Sequence, residues 1–101
     1  MRKSKYLTKR MYEVLKALAD DVETDLVWEK GAGWWIGFHR THGKTALALV
    51  RLCLVNEDSI ARDGTYCRYD INEHGEAAIK DPDFVPPIVA HVPDLQRYAR
   101  R

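Results

Sequence analysis

The sequence predicts one α+β domain, and three observations carry that prediction. An amphipathic helix pattern opens the chain, a broad apolar helix pattern lies at its middle, and each is followed by short β-type runs around glycine-bearing turns. The chain has 101 residues, so two separately folded halves would each have too little core, and residues 1–101 read as a single domain. Its basic N-terminal end is residues 1–6 and its extended tail residues 82–101.

The first helix is expected from Lys9 to Ala19. Met11, Val14, Leu15 and Leu18 share one face, while Lys9, Glu13, Lys16 and Asp20 share the other. Thr8 is the natural N-cap, Leu7 can pack on Tyr12, and Asp20-Asp21 ends the helix. Leu26-Val27-Trp28 and Trp34-Trp35-Ile36, separated by Glu29-Lys30-Gly31-Ala32-Gly33, form a hairpin. In a strand Trp34 and Trp35 must point to opposite sides. The central helix is expected from Thr41, as N-cap, to about Val55. Ala46, Leu47, Leu49, Val50, Cys53 and Leu54 form its buried arc, and Thr41, Lys44, Thr45, Ala48 and Arg51 its other face.

Ser59-Ile60-Ala61, the turn Asp63-Gly64 and the alternating run Tyr66 to Ile71 form a second hairpin. Asn72 caps a short third helix with Glu73 and Glu76 in its first turn, which Asp81-Pro82 ends. All four prolines lie between Pro82 and Pro93, predicting an extended strap, with a last helical turn near Leu95 to Tyr98.

Hydrophobic residues make up 46% and charged residues 31%, which is ordinary globular usage and excludes disorder. A net charge of +1 provides no global field for nucleic acid and excludes an acidic DNA mimic. Distribution matters more. Arg2, Lys3, Lys5, Lys9 and Arg10 make the start basic, Asp20, Asp21, Glu23 and Asp25 follow, and no acid occurs between Glu29 and Glu57. That interval holds His39, Arg40, His42, Lys44 and Arg51. No apolar run follows the N-terminal charges, so no membrane partner is expected and the protein should be cytoplasmic. Cys53 and Cys67 read as buried, reduced thiols without a disulfide.

The segment Gly37 to Thr45, GFHRTHGKT, looks like a phosphate loop but has five residues between its glycines where that motif has four, and the chain is too short for the surrounding parallel sheet. GAGWWIG lacks the third glycine of a dinucleotide fingerprint. His39, His42, Cys53 and Cys67 lack the paired spacing of a zinc finger, and no serine or cysteine has the context of an activated nucleophile. No enzymatic activity, metal or cofactor is expected.

From Gly43 to Ile79, GKTALALVRLCLV and TYCRYDINEHGEAAI resemble the recognition helix, the wing and the following Tyr, Glu and Gly-bearing stretch of MarR-type and PadR-type regulators. LTKRMYEVLKALAD resembles their first helix. The resemblance implies a winged-helix-like order of helix, hairpin, central helix, β-hairpin wing and short helix. It also implies double-stranded DNA as partner and a role as a small bacterial or phage transcriptional regulator. Arg40, Thr41, His42, Lys44, Thr45 and Arg51 would then meet DNA from the central helix, and Arg62 and Arg68 from the wing. That family places a separate helix before the recognition helix, where this chain has Leu26 to Phe38, and it dimerises through additional helices. A homodimer therefore stays an open arrangement. The alternative is a protein-binding module, such as a phage-encoded inhibitor of anti-CRISPR or host-takeover type, docking a host or phage protein through Trp34 and Trp35.

Overall fold

The computed structural model describes residues 3–87, so the expected helical turn at Leu95 to Tyr98 lies outside the described residues. Helix α1 spans Lys9–Asp20 and buries Met11, Val14, Leu15 and Leu18, the face the sequence assigns to the core. Thr8 caps it, its Oγ1 accepting the Met11 N–H at 3.1 Å. The carboxylate of Asp21, at the negative end of the helix dipole, accepts the Glu23 N–H at 2.9 Å and the Thr24 hydroxyl at 2.9 Å. These bonds hold its carboxyl below the usual range, which explains why an acid is tolerated there.

Strands β1 (Leu26–Glu29), β2 (Gly33–Ile36), β3 (His39–Thr41), β4 (Val55–Ile60) and β5 (Tyr66–Ile71) form one antiparallel sheet in the order β3-β2-β1-β5-β4. Both expected hairpins are present, and pairing of β1 with β5 joins them: Leu26 opposes Tyr69 and Trp28 opposes Cys67. Gly64 at φ +72° makes the Asp63-Gly64 turn. Strand β3 is not among the elements expected from the sequence, where Thr41 is the N-cap of the central helix; Trp34 pairs with Thr41 and Trp35 with Arg40. Strand β4 begins at Val55, so Asn56 and Glu57 pair with β5 ahead of the Ser59-Ile60-Ala61 run the sequence assigns to the hairpin, and a register shift between Glu57 and Ser59 leaves Asp58 outside the pairing.

Helix α2 spans Gly43–Arg51 and differs from expectation at both ends and in rotation. Its N-cap is His42, because Thr41 is held in β3. Thr45 and Ala48, assigned to the exposed face, are buried at 8% and 5% exposure, whereas Leu47, assigned to the core, is 42% exposed. The buried face thus runs through Thr45 and Ala48 as well as Ala46 and Leu49, which are buried as expected, and the exposed stripe is Lys44, Leu47 and Arg51. The helix stops at Arg51 because the chain closes a Schellman turn: Cys53 N–H donates to the Val50 carbonyl and Leu54 N–H to the Leu49 carbonyl. Cys53 takes φ +59° in that turn and is exposed, contrary to its reading as a buried thiol, since the left-handed backbone swings it off the apolar face.

Helix α3 spans Glu73–Lys80, with Asn72 Oδ1 accepting the Gly75 N–H at 2.9 Å. Asn72 also donates through Nδ2 to the Cys53 carbonyl at 2.7 Å, tying α3 to the end of α2. One apolar cluster takes in residues of all three helices together with Leu26, Trp34, Ile36, Tyr69 and Ile71, which share one face of the sheet. The opposite face carries Arg40, Trp35, Val27 and Arg68 in one row across four strands, and none of these is fully buried. Beyond α3 the expected strap starts as a turn, Phe84 N–H donating to the Asp81 carbonyl; Ser4 Oγ then donates to the Phe84 carbonyl at 2.7 Å. No helix among the described residues is long and apolar enough to cross a membrane.

Candidate nucleic-acid interface at the helix N-termini

Helices α1 and α2 bring their first turns to one cavity of about 500 Å³, lined by Thr8, Lys9, Arg10, Met11, His42, Lys44, Thr45 and Ala48. Strand β3 positions this wall, because it runs through the single residue His42 into α2 and so places Gly43-Lys44-Thr45 at the rim. With one residue between strand and helix, there is no loop to wrap a phosphate chain.

The charges of these two helix starts run against the usual rule. A helix N-terminus carries a partial positive charge and favours Asp or Glu in its first turn. Neither α1 nor α2 has an acid there; Lys9 and Arg10 occupy the start of α1, and Lys44 that of α2. Helix α3 of the same chain follows the rule, with Glu73 and Glu76 in its first turn and Lys80 in its last. His42, the N-cap of α2, makes no side-chain capping hydrogen bond, so no capping side chain satisfies the first N–H groups of that helix. Two positive helix ends, three cationic side chains and the His42 imidazole thus surround one cavity, and no carboxylate belongs to its described lining.

Of the eight residues the sequence assigns to DNA, the structure brings His42, Lys44 and Thr45 together here, and Thr45 is a buried wall residue of the cavity and not part of a free helix face. Arg51 lies at the last turn of α2 on the Lys44 stripe. Thr41 is half-buried in β3 opposite Trp34. Arg40 is on the opposite face of the sheet, its guanidinium lying over Gly33. Arg68 shares that face and stands 4.0 Å from the Asp25 carboxylate, whose pKa burial raises against the pull of Arg68. Arg62 sits in the β4–β5 turn. Lys9 and Arg10 were missed because α1's pattern places them simply on a solvent face; the basic N-terminal run was the one signal pointing to them.

The tryptophans divide as a strand requires. Trp34 packs on the core with its ring 5.6 Å from Tyr69, and Trp35 lies on the opposite face, its Nε1–H donating to the Ala32 carbonyl at 3.0 Å. Burial pushes the Cys67 thiol up, and the hydrogen bond with Cys67, reinforced by burial, pushes the Tyr69 hydroxyl up to about 12, so both stay protonated near neutral pH. His39, His42, Cys53 and Cys67 are spread over β3, the start of α2, the turn after it and β5; no group of three or more metal-ligating side chains occurs among the described residues. Comparison with family models, curated proteins and solved structures finds no match to this chain.

Proposed function

We propose that this domain binds double-stranded DNA and acts as a small transcriptional regulator, with α2 as its recognition helix. The observation that carries the reading is the inverted charge of the α1 and α2 starts beside the exposed stripe Lys44, Leu47, Arg51. Phosphate oxygens are the anions most suited to such an arrangement on a nucleic acid, since helix N–H groups and Lys or Arg side chains all donate to them. Lys9, Arg10, Lys44 and Arg51 contact the backbone, and the β4–β5 hairpin with Arg62 at its turn takes the place of a wing. Strands occupy the interval where MarR-type and PadR-type domains have a second helix, so the proposal rests on this charge arrangement and on the resemblance of α1, α2 and the hairpin.

Anisotropy of a labelled random duplex, measured across salt concentrations, tests it. Four phosphate contacts give a log–log salt slope of roughly −3 to −4 at about 0.9 per contact. Replacing Lys44 and Arg51 by alanine flattens the slope by about two units. Absence of salt-sensitive binding to duplex at micromolar protein overturns the assignment.

A second reading is favoured by Trp35, half-buried on the sheet face away from the helices and flanked by Arg40 and Val27. On that reading the face docks a host or phage protein, and Trp35→Ala abolishes capture of the partner while leaving the thermal transition in place.

A further inference from the structure

We propose that the edge of strand β3 takes up an extended acidic segment of another protein, which adds to the sheet as a sixth strand. The inference goes beyond both readings above, since it concerns the rim of the sheet and needs neither the exposed stripe of α2 nor Trp35. The order β3-β2-β1-β5-β4 makes β3 and β4 the two edges, and no described strand pairs with the outer side of either. In an antiparallel pair, alternate residues turn their N–H and C=O groups away from the partner, so an edge offers backbone donors and acceptors to an incoming chain. The two edges are not equivalent. Strand β4 is interrupted by the register shift at Asp58 and carries Glu57 beside it, a bulge and charges of the kind that protect an edge from further pairing. Strand β3 pairs with β2 in continuous register and contains no proline or acid, and Phe38, immediately before it, is 98% exposed.

Charge identifies the occupant. Arg40 in β3 is exposed, its guanidinium lies over Gly33 on the outer face of the sheet, and it has no ion pair among the described residues. Arg68 on the same face, by contrast, stands 4.0 Å from the Asp25 carboxylate. His39 and His42, both exposed, flank Arg40 with further donors, and no acid occurs between Glu29 and Glu57. A second copy of the chain does not suit this edge. Every register of β3 against another β3 sets these groups against their own kind and none against a carboxylate, and like charges directly opposite destabilise a pair. The added strand must therefore bring the acids. Its residue facing Arg40 is a carboxylate, and an apolar residue at the end that passes Phe38 covers part of that ring. Three residues of ladder make few backbone bonds, so the backbone selects an extended chain while Arg40 and Phe38 select its side chains.

The test uses the full chain and three short capped peptides, each followed by calorimetry and by backbone amide shifts. One alternates glutamate with valine, the second is the same peptide N-methylated at its interior amides, and the third has lysine for glutamate. The glutamate peptide is expected to bind with shifts centred on residues 38–42, and the other two at least about tenfold more weakly, since one lacks the ladder donors and the other the charge. Arg40→Gln weakens the glutamate peptide about tenfold, with its thermal transition reporting that the fold is kept, and Arg40→Glu reverses the preference between the glutamate and lysine peptides. No binding at millimolar peptide, equal affinity for any two of the three peptides in the parent protein, shifts on β4 or the helix starts, or unchanged affinity in Arg40→Gln overturns the proposal. A random duplex that displaces the glutamate peptide and shifts the same amides gives the edge to nucleic acid. A dimer in sedimentation that the peptide dissociates gives it to a second copy, and either result also overturns the proposal.

Discussion

Gly75 and Gly43 both stand in the first turn of a helix, and replacing each by alanine should shift stability in opposite directions. In open helical surroundings Gly→Ala gains up to about 1 kcal/mol from backbone entropy. At Gly75 a Cβ would run into the Leu54 carbonyl oxygen and come within 2.7 Å of Ile71 Cγ1. Neither neighbour yields freely. The Leu54 carbonyl accepts the Asn72 N–H at 3.2 Å, and Gly75 N–H itself donates to Asn72 Oδ1 at 2.9 Å, so moving α3 outward strains the cap and the backbone bond together. Overpacking of this kind costs about 1–3 kcal/mol, and loss of a cap about 1 kcal/mol. Gly75→Ala should therefore be destabilised by about 1–3 kcal/mol, a fall in Tm of about 4–8 °C for each kcal/mol in a domain of this size. At Gly43 the added Cβ meets Trp34 Cδ1 at 3.6 Å, an ordinary contact, so Gly43→Ala should be neutral or stabilised by a few tenths of a kcal/mol. Urea unfolding followed by tryptophan fluorescence gives both values. A Gly75→Ala protein as stable as the parent would refute the packing of α3 against the end of α2.

The rotation of α2 predicts that Leu49→Ala, at 0% exposure, costs about 2–5 kcal/mol whereas Leu47→Ala, at 42%, costs under about 1 kcal/mol; comparable losses in a denaturant series would mean the helix is turned differently. Cys53→Gly should stabilise the protein by about 0.5–1 kcal/mol, since left-handed backbone costs a non-glycine residue about 1–2 kcal/mol and glycine's unfolded-state entropy returns part of it; a destabilised variant in the same melts would contradict the Schellman turn. A thiol reagent should label Cys53 in the native protein quickly and Cys67 only on unfolding, because Cys67 is buried and its thiol is pushed up by burial; equal rates by mass spectrometry would place Cys67 at the surface.

What the sequence by itself determined are the features whose cause lies within a few residues. The 3.6-residue period of Met11, Val14, Leu15 and Leu18 with Thr8 before it specifies α1, since one apolar face and one cap suffice. Asp63-Gly64 and Asn72 act the same way: the first through a glycine at positive φ, the second through a side chain that reaches the N–H three residues on. Alternation likewise separated Trp34 from Trp35. Features that depend on a distant partner were not legible. His39–Thr41 is a strand because β2 offers it an edge, and no alternation over three residues announces that. The apolar residues of α2 span too broad an arc to say which part faces inward. Packing settled it by burying the small Thr45 and Ala48 and leaving Leu47 outside. Lys9 and Arg10 are separated from His42 and Lys44 by more than thirty residues, and only the packing of α1 on α2 turns two ordinary basic stretches into one cavity. Local propensity acts along the chain, whereas a site is made where separate elements meet, and that meeting is decided by the core they share.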